Sequence, residues 1–261
     1  MDAAALWETF AEHAPRVRPG GRAPARGSGN GWFAMLTGEA HPDLNECALT
    51  SRAGAADAAE LVAFLAAADV PALVSVASGA GPEVTAPLAA AGFDRAPARE
   101  PLMWCPARPP LATGGLRVEP VRSAGERERA LAIIAAAHLM AVDVADRALA
   151  PLPDPGGRVA AWLAYDGGEP VSVVWATPGT RIGIWSMMTP VQHRRKGGAR
   201  AVLTCALDAL WGADTEGAFL FSTPAGRPFY EAMGFTAVDE TATWTRGASA
   251  EFLAAIGQSA R

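Results

Sequence analysis

Apolar residues recur along this chain at two spacings, and the alternation between them predicts its elements. In the C-terminal half, LRVEPV (116–121) reads as an opening strand, and SAGERERALAIIAAAHLM (123–140) as a helix begun by Ser123. VAAWLAYDGGEPVSVVWATPGT (159–180) reads as a hairpin turning at Asp166-Gly167-Gly168. Ile182, Ile184 and Trp185 within TRIGIWSMMTP suit a further strand that stops at Pro190. Val202, Leu203, Ala206, Leu207, Leu210 and Trp211 then recur at helical spacing, and Gly212 closes that segment. GAFLFS is another short apolar run, ending at Ser222, and TPAGRPFYEAMGF predicts a short helix that carries Tyr230 and ends at Gly234-Phe235.

The N-terminal half repeats this plan in a decayed form. DLNECALT reads as a strand, AADAAELVAFLAAA as a helix and PALVSVAS as a second strand, while APLAAAGFDRAPAREPLMW parallels FYEAMGFTAVDETATW. Each half has a Gly-Phe corner, Gly92-Phe93 and Gly234-Phe235, followed by a strand-like run ending in Trp104 or Trp244. Between the halves, CPARPPLATGG (105–115) breaks all periodicity, which divides the chain into residues 1–110 and 111–261.

Composition narrows the function classes. A chain of 261 residues that is 50% hydrophobic has material for a real core, as one large or two small domains. The formal net charge of −5 removes the broad basic footprint that nucleic acid requires and suits a cationic amine. Cys47, Cys105 and Cys205 are far apart and odd in number, and with four scattered histidines they form no recognisable metal or disulfide pattern. The start, MDAAALWETFAEH, lacks a basic region followed by an apolar one, and no apolar stretch reaches the ~18 residues of a membrane span. The expectation is a cytoplasmic protein without a membrane segment.

The sharpest chemical signal is RRKGGA, Arg194 to Ala199, set between the predicted strand and helix. Small residues there let the backbone approach a phosphate, and the N–H groups at a helix start bind an anion with help from the helix dipole. Neither the Gly-Lys-Ser/Thr ending of nucleoside triphosphatases nor a Gly-x-Gly-x-x-Gly fingerprint is present.

The ordered pair MMTPVQHRRKGGARAVL and FYEAMGF resembles the GNAT superfamily of acyl-CoA-dependent N-acyltransferases. In that family an Arg/Gln-x-x-Gly-x-Gly/Ala loop holds the coenzyme A pyrophosphate, and a Tyr-x-x-x-Gly-Phe segment supplies a tyrosine near the thiol. The resemblance implies an α/β fold, more closely an α+β mixed sheet, in two GNAT-like halves, each a mostly antiparallel mixed sheet flanked by helices. It implies acetyl-CoA, or another short acyl-CoA, as cosubstrate, with no metal. The main chain of Met187, Met188 and Thr189 would pair with the pantetheine amides. Amides from Arg195 to Ala199, through Lys196, Gly197 and Gly198, would hold the pyrophosphate, with charge from Arg194, Arg195 and Lys196. Tyr230 would donate a proton or hydrogen bond to the departing sulfur.

The N-terminal half lacks both parts of this signature. SRAGAAD is too short for the loop, and Leu88 stands four residues before Gly92 where Tyr230 precedes Gly234. The expected protein is therefore a tandem GNAT-like chain with a competent C-terminal half, transferring an acyl group to the primary amine of a small molecule or peptide. It acts as a monomer or homodimer, without nucleic acid or membrane. Three points depart from the family pattern: Thr180 to Thr189 contains no Asp or Glu to act as base, Thr223 replaces an Asn often found at the end of the fifth strand, and Gly226 replaces the usual Ala of the short helix. His138 and Asp143 are the nearest titratable candidates, and His193 reads as a surface residue near the cofactor. The alternative reading is a non-catalytic acyl-CoA-binding regulatory module.

Overall fold

The computed structural model describes residues 1–109, 115–154 and 156–257. The chain runs α1 (Ala3–Val17), β1 (Ala25–Ser28), β2 (Trp32–Leu36), β3 (Asn45–Leu49), α2 (Ala55–Ala68), β4 (Ala72–Val76), α3 (Pro82–Ala90), β5 (Asp94–Arg99) and β6 (Leu102–Cys105). It continues with β7 (Arg117–Pro120), α4 (Ala124–Ala137), α5 (Val142–Ala148), β8 (Ala160–Asp166), β9 (Glu169–Thr177), β10 (Arg181–Met188) and α6 (Gly198–Leu210). The last elements are β11 (Gly217–Phe221), α7 (Arg227–Ala232), β12 (Thr236–Asp239), β13 (Ala242–Arg246) and α8 (Ala250–Gly257). The series β3-α2-β4-α3-β5-β6 and β10-α6-β11-α7-β12-β13 follow the same order, which is the plan the two Gly-Phe corners announce.

By contact the chain forms two compact units, Met1–Met103 with Phe221–Arg261, and Trp104–Leu220. This grouping differs from the expected division at residues 110 and 111. The physical reason is strand pairing: β13, from the far end of the chain, lies between β4 and β5 and is antiparallel to both. Of the expected linker, residues 110–114 lie outside the described residues.

The first unit holds a six-stranded sheet in the order β1-β2-β3-β4-β13-β5. Two of its inner strands are covered along their whole length: WFAML of β2 and ALVSV of β4 are buried at every position. Leu61 and Leu65 of α2 and Val84 and Leu88 of α3 pack with them in one core. Asp239 ties three segments together, its carboxylate accepting from Trp7 Nε1 of α1 and from Ser78 N–H after β4, both at 2.9 Å. Helix α1 is not among the expected elements, although Leu6, Trp7, Phe10, Ala14 and Val17 do face the core at helical spacing behind an Asp2 cap.

In the second unit the strands follow the order β7-β8-β9-β10-β11; β10 and β11 are parallel and the other neighbours antiparallel. The β8–β9 hairpin turns on Gly167 and Gly168, both at positive φ (58° and 99°), as a two-residue turn requires. Ser123 begins α4 through a capping box. Its Oγ accepts from Glu126 N–H at 3.3 Å, and the Glu126 carboxylate accepts from the N–H groups of Arg122 and Ser123, each at 2.8 Å. Helix α6 lays Ala201, Val202, Leu203, Ala206 and Leu207 against β8, β9 and β10, and ends at Leu210, capped by Trp211 and followed directly by Gly212. No described helix is long and apolar enough to cross a membrane, and all three cysteines are free thiols.

Candidate functional site

Within the second unit, β10, the turn after it and the start of α6 form a continuous path of specialised backbone. The parallel ladder of β10 with β11 runs from Arg181↔Gly217 to Gly183↔Phe219 and ends there, with Ile184 to Met188 of β10 still to come. On its other side β10 pairs with β9 through Trp185↔Trp175, then slips by one residue before Met188↔Val173. This β-bulge contains Ser186, whose φ of +42° is a left-handed conformation uncommon outside glycine. A bulge of this kind redirects the main chain of Met187 and Met188 relative to the rest of the strand.

The turn is held from below by a residue outside every motif of the sequence. Ser172 of β9 is fully buried; its Oγ donates to the Met188 carbonyl at 3.0 Å and lies 2.8 Å from Thr189 Oγ1. Because a serine has a single hydroxyl proton, Thr189 is the donor in the second bond. The same side chain bounds the start of α6: a Cβ added to Gly198 would stand 3.0 Å from Ser172 Cβ. One small polar residue thus spaces the end of β10 from the start of the helix. Its only signal in the sequence is a lone serine inside the apolar run VSVVW.

After Pro190 a 3-10 turn, Val191–His193, leads into Arg194. Arg195 (φ +63°) and Gly197 (φ +89°) are both left-handed, and Gly197 caps α6 without any side-chain hydrogen bond. The first turn of α6 has no acidic residue, so the positive end of the helix is not neutralised locally. No atom lies within 4 Å of a Cβ built on Gly197. The space beside the helix start is open, and the exposed Arg194, Arg195 and Lys196 adjoin it in the chain. Arg194 Nε also donates to the Thr189 carbonyl at 3.3 Å, joining the turn to the end of β10. Two left-handed residues, Arg195 and Gly197, ahead of a helix start without a side-chain cap give a backbone geometry that suits a phosphate or pyrophosphate.

The remaining expected residues fall as follows. His193 is buried, not on the surface: it is 9% exposed and its Nε2 lies 3.3 Å from Glu169 Oε1, so it supports the turn from inside. His138 is the C-cap of α4. Asp143 is exposed and accepts from Arg147 Nη1 at 2.8 Å, a bond that holds its carboxyl below the usual range and makes it a poor proton acceptor near neutrality.

Tyr230 belongs to the first unit. It is 7% exposed on α7 and packs edge-on against Phe229 and Phe235, at ring separations of 5.2 and 5.8 Å. Burial pushes its phenol above the ordinary range, so the group is a neutral donor at any physiological pH. The corner after it is closed by Phe235 N–H donating to the Tyr230 carbonyl at 3.0 Å, with Gly234 at φ +90°. The corner after Leu88 is built the same way: Phe93 N–H donates to the Leu88 carbonyl at 3.0 Å and Gly92 has φ +78°. With the backbone closed alike, the position four residues before the glycine carries a phenol in one corner and an isobutyl group in the other.

No protein-family model and no curated protein matches the sequence. Among solved structures the chain is similar to a GCN5-related N-acetyltransferase from Kribbella flavida, at 19% identity and a TM-score of 0.67 over 95% of this chain and 96% of that one. A putative acetyltransferase of the GNAT family from Novosphingobium aromaticivorans DSM 12444 matches at 13% identity and 0.57, over 93% and 96%. A tandem GNAT protein from the clavulanic acid biosynthesis pathway matches at 14% identity and 0.50, over 95% and 96%. The last likeness extends along both halves of the chain. With the strand, bulge, turn and helix described above, these likenesses establish that this protein has the GNAT superfamily fold.

Proposed function

We propose that the chain is an acyl-CoA-dependent N-acyltransferase, moving an acetyl or other short acyl group to a primary amine by direct attack in a ternary complex. The observation that carries this reading is the interrupted β10–β11 ladder, running on into a left-handed turn and an uncapped helix. Coenzyme A has the matching chemistry: an extended arm with two amides, then a pyrophosphate. The main chain of Met187, Met188 and Thr189 would pair with the arm as an added strand, and the amides of Arg195 to Ala199 would take the pyrophosphate. The names borne by the structural neighbours support acyl transfer in general.

In the reaction the amine nitrogen bonds to the thioester carbonyl carbon while that carbonyl accepts from a main-chain N–H near Met188. The C–S bond then breaks and the sulfur leaves as a thiolate. On the family resemblance, Tyr230 is assigned to hydrogen-bond that sulfur and give it a proton; a neutral buried phenol is in the required state. The ammonium proton passes through water to the Tyr230 oxygen and restores the phenol, since Thr180 to Thr189 carries no carboxylate and Asp143 is held by Arg147. The acceptor is a small-molecule or peptide amine and the setting is cytoplasmic.

The missing carboxylate also favours a second reading, a module that binds acyl-CoA without turning it over. Thermal stability measured with acetyl-CoA, propionyl-CoA and free coenzyme A, followed by thiol release against a panel of amines, separates the two. Stabilisation with amine-dependent release supports the transferase, and stabilisation without release supports the module. No stabilisation by any of the three removes both.

A further inference from the structure

Strand β5 of the first unit carries Pro97, which has no N–H to give to β13. The β13–β5 ladder slips at this place. Ala242 pairs with Arg99 and Trp244 with Arg95, so a step of two residues on β13 is matched by four on β5. Residues two apart on a strand face the same side, and cross-strand partners share that side. Arg95 and Arg99 therefore stand beside Ala242 and Trp244 on one face of the sheet. A cavity of about 200 Å³ opens there, bounded by Arg95, Arg99, Trp244, Val76 and, from the start of α3, Pro82 and Thr85.

The charges around this cavity are unbalanced in a specific way. Arg95 has no acidic partner among the described residues, and Arg99 makes one bond, Nη1 to the main-chain carbonyl of Glu240 at 3.4 Å. The carboxylate of Glu240, at the rim, is engaged by Arg227 Nη1 at 2.8 Å. The carboxylate of Glu83 folds back to where a side chain on Gly81 would be, so the start of α3 has its own counter-charge. Trp244 lines the cavity and packs against the core behind it, where its Nε1 is buried without an acceptor. A buried N–H without an acceptor is costly, and two arginines without carboxylates are ready to bind one.

We infer that this cleft is a binding site for a small organic anion, a carboxylate or phosphate carried on an aromatic or other compact apolar body. The guanidinium forks of Arg95 and Arg99 match the planar or tetrahedral oxygens of such a head group. The Trp244 indole offers an apolar wall, and its buried N–H reports what is seated against the ring. The size is consistent, since a cavity of roughly 150 Å³ holds a benzene ring. The inference is independent of the acyl-transfer reading, since neither Tyr230 nor any residue from Met187 to Ala199 lines the cleft.

The test is the indole N–H resonance of Trp244 in the full chain, identified among eight tryptophans by its absence from Trp244→Phe. Benzoate and phenyl phosphate are titrated separately, with benzyl alcohol as the uncharged control. The expected result is a saturable shift with at least one of the two anions, none with benzyl alcohol, and affinity at least about tenfold weaker in Arg95→Gln/Arg99→Gln. The tighter anion names the head group. Both replaced side chains are exposed, so the variant is expected to fold, and acyl-CoA stabilisation equal to that of the parent checks it. The inference is overturned if neither anion shifts the resonance up to about 10 mM, or if the double variant binds as well as the parent.

Discussion

The β3–α2 and β10–α6 junctions hold the same place in the repeated order of elements, and they are finished in opposite ways. β3 and β4 pair in parallel from Glu46↔Leu73 to Leu49↔Val76, and Ala77 N–H then donates to the Leu49 carbonyl at 2.9 Å, so that ladder is shut to its end. β10 and β11 pair only as far as Gly183↔Phe219. Helix α2 starts at Gly54 with φ −112°, and Asp57 serves its first turn, one carboxylate oxygen accepting from Gly54 N–H and the other from Gly31 N–H, both at 2.9 Å. Helix α6 starts at Gly197 with φ +89° and has no acid in its first turn. One plan therefore yields an open joint, the proposed cofactor site, or a sealed one, depending on how far a ladder runs and whether the helix start has its own negative charge.

The largest expected effect comes from making the second corner resemble the first. Tyr230→Phe should lower turnover by about 10²-fold while acyl-CoA affinity stays at the parent value. Equal loss of both, read by thiol release and by titration of acetyl-CoA, would remove Tyr230 from the chemistry.

Next is the helix start. Gly197→Val places a β-branched residue at positive φ and fills the open space, and acyl-CoA binding should weaken by about tenfold to a hundredfold. The matched change in the sealed joint, Gly54→Ala, meets no atom closer than 3.9 Å and should leave affinity unchanged. If the two variants bind alike, the contrast between the junctions does not govern cofactor binding.

Ser172→Ala removes the donor to the Met188 carbonyl and the acceptor for Thr189. An acyl-CoA affinity loss of about threefold to tenfold is expected, together with roughly 1–3 kcal/mol of stability. A loss of stability with unchanged affinity would make Ser172 a packing residue only.

The first unit places its perturbed groups in its packing. Glu100, partly buried and accepting from Thr243 Oγ1 at 3.3 Å, has its carboxyl pushed up to about 7 by burial, with Asp43 and Glu46 adding to it. Its folded value exceeds the unfolded one of about 4.3, so the folded state holds this proton more tightly, and stability falls as pH rises from about 4.3 to about 7. Glu100→Gln should therefore be more stable than the parent at pH ~8, by about 1 kcal/mol or more, and equal to it at pH ~4, as read by denaturant unfolding. His13 works on the acid side. Burial and Arg16 push it down to about 4, so its contribution is present above about 6.5 and is lost as pH falls toward 4.

The smallest effect is expected at Lys196, where the charge is exposed and screened. Lys196→Ala should weaken acyl-CoA binding by only about twofold to fivefold. A loss as large as that of Gly197→Val would mean that side-chain charge, not backbone shape, holds the phosphates.

Much of the fold and of the helix start is legible in the residues alone. The helical spacing from Val202 to Leu210, the strand ending ahead of Pro190 and the small residues at Gly197 and Gly198 are local signals, and the elements form where those signals lie. The burial of His193 is not legible, because one histidine in a polar turn looks the same whether it faces water or Glu169. Ser172 is equally silent, since a serine in a strand shows nothing of what the next strand sets against it.

Residues a few positions apart suffice to specify the order of elements, the charged small-residue turn from Arg194 to Ala199, and the loss of that turn in the first half. Three other features arise only when the chain is folded: where the β10–β11 ladder stops, the entry of β13 between β4 and β5, and the placing of Arg95 and Arg99 beside Trp244. Strand pairing joins residues far apart in the chain, and its register depends on which faces the packed core must cover, so no local pattern records it.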